Sequence, residues 1–184
     1  AALALLAAVG CGGSSDGTDE PQAGISGPEG EAVDGGSLVF GIDYETSGWN
    51  PAIDQWAATG ALVGSSVLEP LATLDGDGQA QPWLATSWDA NDTNDVWTIH
   101  LREGVTFHDG TDFDAEAAAA NLEFIRTAPL SSIAFGPMID AVNVVDPATV
   151  EVRLTSAWGA FPSSFMASQG AFMRAPASLE AEDK

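Results

Sequence analysis

Basic residues are almost absent from this sequence. Its 184 residues include 5 Lys and Arg against 27 Asp and Glu, a formal net charge of −22, and Lys184 is the only lysine. Such a surface repels the phosphate backbone of nucleic acids, so the composition excludes a nucleic-acid partner. The acidic excess is typical of a solubilising surface in a secreted or high-salt setting, and by itself it does not indicate a cationic solute.

Several features of reactive proteins are also missing. Cys11 is the only cysteine, which excludes an internal disulfide. The G-x-S-x-G string at residues 13–17 lies in a run of glycines and serines and not between a predicted strand and a predicted helix, and there is no phosphate-binding G-x-x-x-x-G-K-[ST] loop. A two-carboxylate glycosidase site stays open, but nothing in the sequence singles out a pair. The sequence therefore singles out no catalytic residue and predicts no cofactor.

The first residues are apolar. Residues 1–9 read AALALLAAV, which fits the apolar region of a signal peptide and is too short to span a bilayer. Neither an initiating Met nor a basic leader precedes them, so we expect the sequence to begin inside a signal peptide. Gly10-Cys11 then resembles a bacterial lipobox, whose cysteine is diacylated, although Ala8 stands where Leu is usual. Residues 1–11 thus predict a partial lipoprotein signal peptide with lipidation at Cys11.

A buried free thiol is the alternative for Cys11, but the glycines and serines around it offer no core to enter. Residues 12–36 are Gly, Ser, Asp, Glu and Pro with few large apolar side chains. Such a composition cannot offset the entropy cost of ordering, so it predicts a flexible tether. Residues 37–184 would then form the folded part, held a short distance from a membrane surface.

Hydrophobic periodicity predicts alternating short strands and helices in the folded part. Asp114 is the predicted N-cap of a helix whose buried face carries Ala115, Ala118, Leu122 and Ile125, with Asn121 and Arg126 among its polar positions. In chain order we expect a buried strand at 38–42, a helix at 57–68, a hairpin through residues 75–78, strands at 97–101 and 105–108, the helix from 115, a hairpin at 142–154 and a helical turn at 158–166.

Residues 97–116 contain a cluster of polar side chains that could be mistaken for a metal site, namely His100, His108, Asp109, Asp112, Asp114 and Glu116. Each carboxylate has a role in a turn or a helix cap that needs no metal, and the two histidines lie on separate predicted strands. The sequence DGDG at 75–78 lacks the later Glu of a calcium loop and is typical of a hairpin turn. We therefore predict no metal site.

Several segments resemble one family, in one order. Residues 36–41 (GSLVFG) with 49–52 (WNPA) resemble its opening strand and "L-D-P-A" loop, and 67–71 (VLEPL) its "V-Y-E-P-L" segment. Residues 81–88 (QPWLATSW) are similar to "P-x-L-A-E-S-W", and 97–111 (WTIHLREGVTFHDGT) to "Y-T-F-x-L-R-x-G-V-K-F-H-D-G-T". The family is the peptide/nickel type (family 5) of extracellular solute-binding proteins, which serve ABC import systems. One departure is Ala117-Ala118, where the family usually has Asp-Val.

The resemblance implies an α/β fold of the two-lobed, periplasmic-binding-protein type II-like class, of which the N-terminal part would be present. It also implies a function without enzymatic activity: a lipid-anchored, extracytoplasmic receptor that captures a peptide-like solute and delivers it to the permease subunits of an ABC transporter. A surface-tethered hydrolase and a structural surface lipoprotein are the alternatives.

Solute contacts are expected in the loop after the first predicted strand, since loops at strand ends carry ligand contacts in α/β folds. The candidates are Tyr44, Glu45, Thr46, Trp49 and Asn50. Tyr44 and Trp49 would supply apolar walls with a polar edge, and Glu45 could pair with a cationic group of the solute. For Trp49, plugging the surface of the lobe is an equal alternative, and for Trp158 core packing is favoured over a cleft wall.

Overall fold

The computed structural model describes residues 35–37, 39–129 and 131–180. The chain divides into two units, Ala1–Val39 and Phe40–Lys184, and the description below concerns the second. The predicted signal peptide, Cys11 and nearly all of the predicted tether lie outside the described residues. The elements are α1 (Ala58–Gly64), β1 (Glu69–Pro70), β2 (Ala72–Leu74), β3 (Ala80–Pro82), β4 (Ala85–Ala90), β5 (Val96–Leu101), α2 (Ala115–Thr127), α3 (Ser131–Ala134), β6 (Ile139–Asp146), β7 (Thr149–Leu154), β8 (Phe172–Met173) and α4 (Pro176–Glu180).

An antiparallel sheet of four strands, in the order β4-β5-β7-β6, forms the main layer. The predicted alternation in β5 is confirmed, because Trp97, Ile99 and Leu101 are buried while the residues between them are half-buried. In β7 the buried residues Val150, Val152 and Leu154 follow the same period. The predicted hairpin at 142–154 is confirmed as β6 and β7, and helix α2 packs against both strands.

Helix α2 begins where the sequence predicts. The Asp114 carboxylate accepts a hydrogen bond from the Ala117 N–H at 2.9 Å, which is an N-cap, and Glu116 lies in the first turn. The predicted apolar face of four residues is buried. Asn121, however, is buried as well and not at the polar surface, because its side chain bonds main-chain groups of another segment.

The predicted hairpin through DGDG is confirmed: β2 and β3 pair antiparallel on either side of residues 75–79. The Asp75 carboxylate accepts hydrogen bonds from the main-chain N–H groups of Gln79 and Asp77 and from the Gln81 side chain. These bonds, the one from Gln79 foremost, hold the pKa of Asp75 below its usual value. Asp75 thus closes a turn with its charge satisfied by the local backbone.

Two predicted strands are wrong. Residues 39–42 are not a buried strand: they form no ladder, and Val39 is 95% exposed. A strand needs a partner for its main-chain groups, and none of the described strands pairs with this run. Residues 105–108 also form no strand, since only Thr106 makes an isolated bridge to Asp112. The predicted helix at 57–68 is shorter and ends at Gly64.

Aromatic side chains fill the core beneath β5. Phe161 and Phe165 are fully buried and stack with ring centroids 5.1 Å apart. Trp97 lies 5.7 Å from Phe161, and Trp158 contacts both phenylalanines edge-on. Residues 162–166 form one helical turn, as the sequence predicts for this region. Trp158 is therefore part of the core packing, which is the alternative that the sequence favours.

The helices are short throughout the part of the chain that the structure describes. The longest, α2, has 13 residues, and none of the described helices is both long and apolar enough to cross a bilayer.

Candidate functional site

The predicted contact residues lie in a loop that runs from residue 43 to residue 56, which we call the aromatic loop. Three tryptophan or tyrosine side chains give it its character: Tyr44, Trp49 and Trp56. Tyr44 is 68% exposed and Trp49 is 50% exposed, so the loop presents a large apolar area to solvent. Exposed aromatic area of this kind is enriched at binding sites.

Asp54 holds the aromatic loop together. Its carboxylate accepts hydrogen bonds from the Ser47 hydroxyl at 3.2 Å and from the Asn50 N–H at 2.8 Å. The Ser47 hydroxyl in turn accepts from the Gln55 N–H, and the Trp56 indole N–H donates to the Gly48 carbonyl at 3.0 Å. The loop therefore has a defined shape that does not depend on regular secondary structure.

The five predicted contacts occupy three kinds of position. Tyr44, Glu45 and Trp49 are exposed, and Thr46 is half-buried against α1. Asn50 is only 6% exposed, and its side-chain oxygen accepts a hydrogen bond from the Ala52 N–H at 2.9 Å. Of the five, the three exposed side chains are the ones that a solute can reach directly, while Asn50 shapes the turn.

A line of rings connects the aromatic loop to the sheet β1–β8. The rings of Trp49 and Trp56 have centroids 5.9 Å apart, and Trp56 lies 5.9 Å from the buried Phe172 of β8. Phe172 is paired with Pro70 in the two-stranded sheet. Trp49 thus rests on a support of packed rings, which fixes its position although half of its surface is exposed.

A depression of about 440 Å³ opens beside the aromatic loop. Its lining brings together residues from the two ends of the described chain: Tyr44, Asp54, Gln55, Trp56, Ala57 and Gln169. Gln169 reaches across 115 residues, since its side-chain N–H groups donate to the carbonyls of Pro51 and Asp54 at 2.9 and 3.2 Å. The sequence prediction missed Asp54, Trp56 and Gln169, and no local signal marks Gln169.

Another cavity formed by the described residues does not contain the predicted contacts. It measures about 490 Å³ and lies between β8, the start of α4 and the turn around His108, and none of the five predicted contact residues lines it. Its lining includes Glu69 of β1 and Met173 of β8. The aromatic loop is therefore the better candidate, because it combines exposed aromatic faces with polar groups of fixed orientation.

The polar cluster of residues 97–116 is spread over separate structural roles. The His100 ring lies 3.2 Å from the Thr149 hydroxyl across the sheet, and the Asp109 carboxylate accepts from the Thr111 hydroxyl and N–H. These two bonds, the hydroxyl first, lower the pKa of Asp109. In the described ranges, no group of three or more His, Cys, Asp or Glu side chains is arranged to hold a metal ion.

The position of Trp56 depends on a glycine. A Cβ placed on Gly64 would lie 2.5 Å from Cζ3 of the Trp56 ring, which is closer than real contacts allow. We expect Gly64→Ala to displace the Trp56 indole, although alanine favours a helix by about 1 kcal/mol. A shifted tryptophan emission spectrum in the full-length protein would show this displacement.

Gly41→Ala is the matched control, because a Cβ at Gly41 meets nothing within 4 Å. The two variants make the same chemical change, so any effect of added methyl alone is shared. Identical emission spectra for the two variants would contradict the assigned close contact between Gly64 and Trp56.

Comparisons with known proteins point to one family. The model described as "Bacterial extracellular solute-binding proteins, family 5 Middle" matches residues 79–183. The nickel-binding periplasmic protein of Escherichia coli K12 is 46% identical over 61 residues, which cover 33% of this chain and 12% of that protein. The glutathione-binding protein GsiB of the same strain is 33% identical over 120 residues, which cover 64% of this chain and 23% of that protein.

Comparison with solved structures also finds similarity to solute-binding proteins. The agropinic acid complex of AgaA from A. tumefacien R10 superposes with a TM-score of 0.66 at 25% identity, covering 76% of this chain and 28% of that one. The chain thus spans less than a third of the length of these relatives. The α/β fold is that of the matching part of periplasmic binding proteins, as the sequence predicts. Because the family model matches more than half of the residues, the chain belongs to the family 5 bacterial extracellular solute-binding proteins.

Proposed function

We propose that this chain forms part of a lipid-anchored extracytoplasmic receptor, which binds a small peptide-like solute and delivers it to an ABC permease. The family match over residues 79–183 is the observation that carries the proposal. Relatives are named as binding glutathione, and one from Helicobacter pylori is solved with the peptide STSA. Others are named for nickel or solved with agropinic acid, so the peptide class is chosen among several ligand types.

The aromatic loop would form one wall of the binding cleft. Tyr44 and Trp49 offer ring faces to a solute, and the network around Asp54 keeps the loop in place before the solute arrives. A preformed wall lowers the ordering cost of binding. Affinity would then come from burying the solute between this wall and a second lobe that closes over it. The permease and its ATPase would supply the transport energy, so no catalytic group is needed.

The membrane anchor is supported by the sequence alone. Acylation at Cys11 followed by the tether of residues 12–36 would keep the folded part near the membrane, where the permease lies. In cells that express the full-length protein, Cys11→Ala should move it from the membrane fraction to the soluble fraction. Membrane retention of the Cys11→Ala variant would contradict the lipid anchor.

The receptor function is tested by solute binding to the full-length protein. We expect tripeptides to bind saturably and to change tryptophan emission, because Trp49 is half exposed in the proposed cleft. Trp49→Ala should weaken this binding, whereas Trp83→Ala, which removes another partly exposed tryptophan outside the aromatic loop, should not. Mass spectrometry of the recovered peptide should show no change. Hydrolysed peptide would instead indicate a surface hydrolase, and the absence of saturable binding to any tripeptide would contradict the proposal.

A further inference from the structure

We propose that the depression beside the aromatic loop binds a cationic group of the solute, an ammonium or a guanidinium. This inference rests on the proposed function and names the chemistry of one end of the solute. Its basis is the hydrogen-bonding inventory of the groups that line the depression, and not the acidic composition of the chain.

Two side-chain N–H donors of the depression, those of Trp56 and Gln169, are already engaged within the protein. The Trp56 indole N–H donates to the Gly48 carbonyl. The Gln169 side-chain nitrogen donates to two carbonyls, those of Pro51 and Asp54, and a primary amide has only two N–H hydrogens. An anionic group of a solute would therefore find neither of these side chains able to donate to it.

The side chains of Gln169 and Asp54 still offer hydrogen-bond acceptors to a solute. Because both Gln169 N–H groups are used, its carbonyl oxygen is the part of the amide that can meet a solute. The Asp54 carboxylate accepts one hydrogen bond on each oxygen, from Ser47 and Asn50, and an ionised carboxylate has about four acceptor positions. A solute group that meets the Asp54 carboxylate and the Gln169 carbonyl must therefore donate hydrogen bonds.

Two aromatic rings in the lining of the depression also favour a cation. Tyr44 and Trp56 both line the depression, next to Asp54. The face of an aromatic ring attracts an ammonium or guanidinium through its quadrupole, and tryptophan does so most strongly. A carboxylate beside two rings is a combination that suits a positive charge and repels a negative one.

No basic side chain of the described residues offsets this preference. Arg126 pairs with Glu123, Arg153 pairs with Glu151, Arg174 donates to the Ser178 carbonyl, and Arg102 lines a different cavity. None of the described arginines lines the depression. The nearby carboxylates of Asp43 and Glu45 are exposed in the same loop and add to the negative potential.

The test uses isothermal titration calorimetry to measure the affinity of the full-length protein for pairs of tripeptides. In the first pair arginine is exchanged for citrulline, in the second lysine for norleucine, and in the third a free N-terminus for an acetylated one. We expect at least one pair to favour the charged member by about tenfold or more, as a charge-assisted hydrogen bond provides. Asp54→Asn should abolish that preference, because the amide keeps an oxygen for the Asn50 N–H but loses the charge.

Asp77→Asn is the control for net charge, since Asp77 is an exposed carboxylate in the β2–β3 turn. It should leave the preference unchanged. Tyr44→Ala provides a second variant that cannot disturb the core, because Tyr44 is largely exposed. It should lower the affinity for the charged peptide by about 3- to 10-fold and leave the affinity for the neutral peptide unchanged.

Equal affinity of charged and neutral members in all three pairs would overturn the inference while leaving the receptor function in place. A preference that survives Asp54→Asn would overturn it as well. Failure of every peptide to bind saturably would instead contradict the proposed function, so the two failures are distinguishable.

Discussion

Replacing Phe161 by alanine should lower the free energy of unfolding of the full-length protein by about 3 to 5 kcal/mol. The Phe161 ring is fully buried, stacks on Phe165 and contacts Trp97 and Trp158. Removal of the ring leaves a cavity in a close-packed core that relaxes only in part, so most of the lost contacts are not recovered. Urea denaturation followed by tryptophan fluorescence measures the change, because two of the affected neighbours are tryptophans.

Phe40→Ala is the matched control for Phe161→Ala. The Phe40 ring is 59% exposed and lies outside the core, so its removal should change the free energy of unfolding by less than about 1 kcal/mol. If Phe161→Ala costs no more than Phe40→Ala, the stacked cluster is not the centre of the core.

Asn121→Ala should cause the second largest decrease in the free energy of unfolding, about 2 to 3 kcal/mol. The Asn121 amide donates to the Arg174 carbonyl at 2.8 Å and to the Ala117 carbonyl at 2.9 Å, while its oxygen accepts from the Arg174 N–H at 2.9 Å. Alanine would leave the half-buried Arg174 main-chain groups without these partners, and an unsatisfied group of this kind costs about 1 to 3 kcal/mol when it is cut off from water. The gain of about 0.5 kcal/mol in helix propensity offsets only a part.

Asn143→Ala provides the comparison for Asn121→Ala. Asn143 is exposed on β6 and makes one long hydrogen bond of 3.4 Å to Glu151, so its loss should cost less than about 0.5 kcal/mol. Equal unfolding midpoints for the two variants would show that the Asn121 bonds do not tie α2 to the segment after β8.

The Asn121 bonds also matter for the proposed cleft. They fix residue 174, which directly follows β8, and β8 carries the Phe172 ring that supports Trp56. Solute binding should therefore be more sensitive to Asn121→Ala than to Asn143→Ala, if the support of the aromatic loop is transmitted through β8. Gln169 reinforces the same link from the other side, through its bonds to the Pro51 and Asp54 carbonyls.

Short-range features were predicted well because they depend on neighbouring residues. The Asp114 cap, the hairpin around Asp75 and the alternation in β5 each follow from residues within a few positions of one another. The wrong strand at residues 39–42 has the opposite cause. An apolar run indicates that the segment is suited to burial, but it does not indicate which strand, if any, will pair with it.

The predicted solute contacts stay a prediction, but the structure shows how exposed each of these side chains is. Tyr44 and Trp49 are exposed in an ordered loop, as a contact residue must be, whereas Asn50 is engaged in the turn. The residues that the prediction missed lie close to the loop in space: Asp54 organises it, Trp56 lines the depression, and Gln169 closes its side.

The sequence by itself determined the family and the positions of the main helix and hairpins, because caps, turns and spacing are local properties. Only the tertiary structure decided which side chains share the depression and which of their hydrogen bonds are already used. Gln169 and Asp54 are 115 positions apart, and their contact follows from β8 packing beside the aromatic loop. A preference for donors or acceptors emerges only after such internal bonds have formed, so it cannot be read from residue types alone.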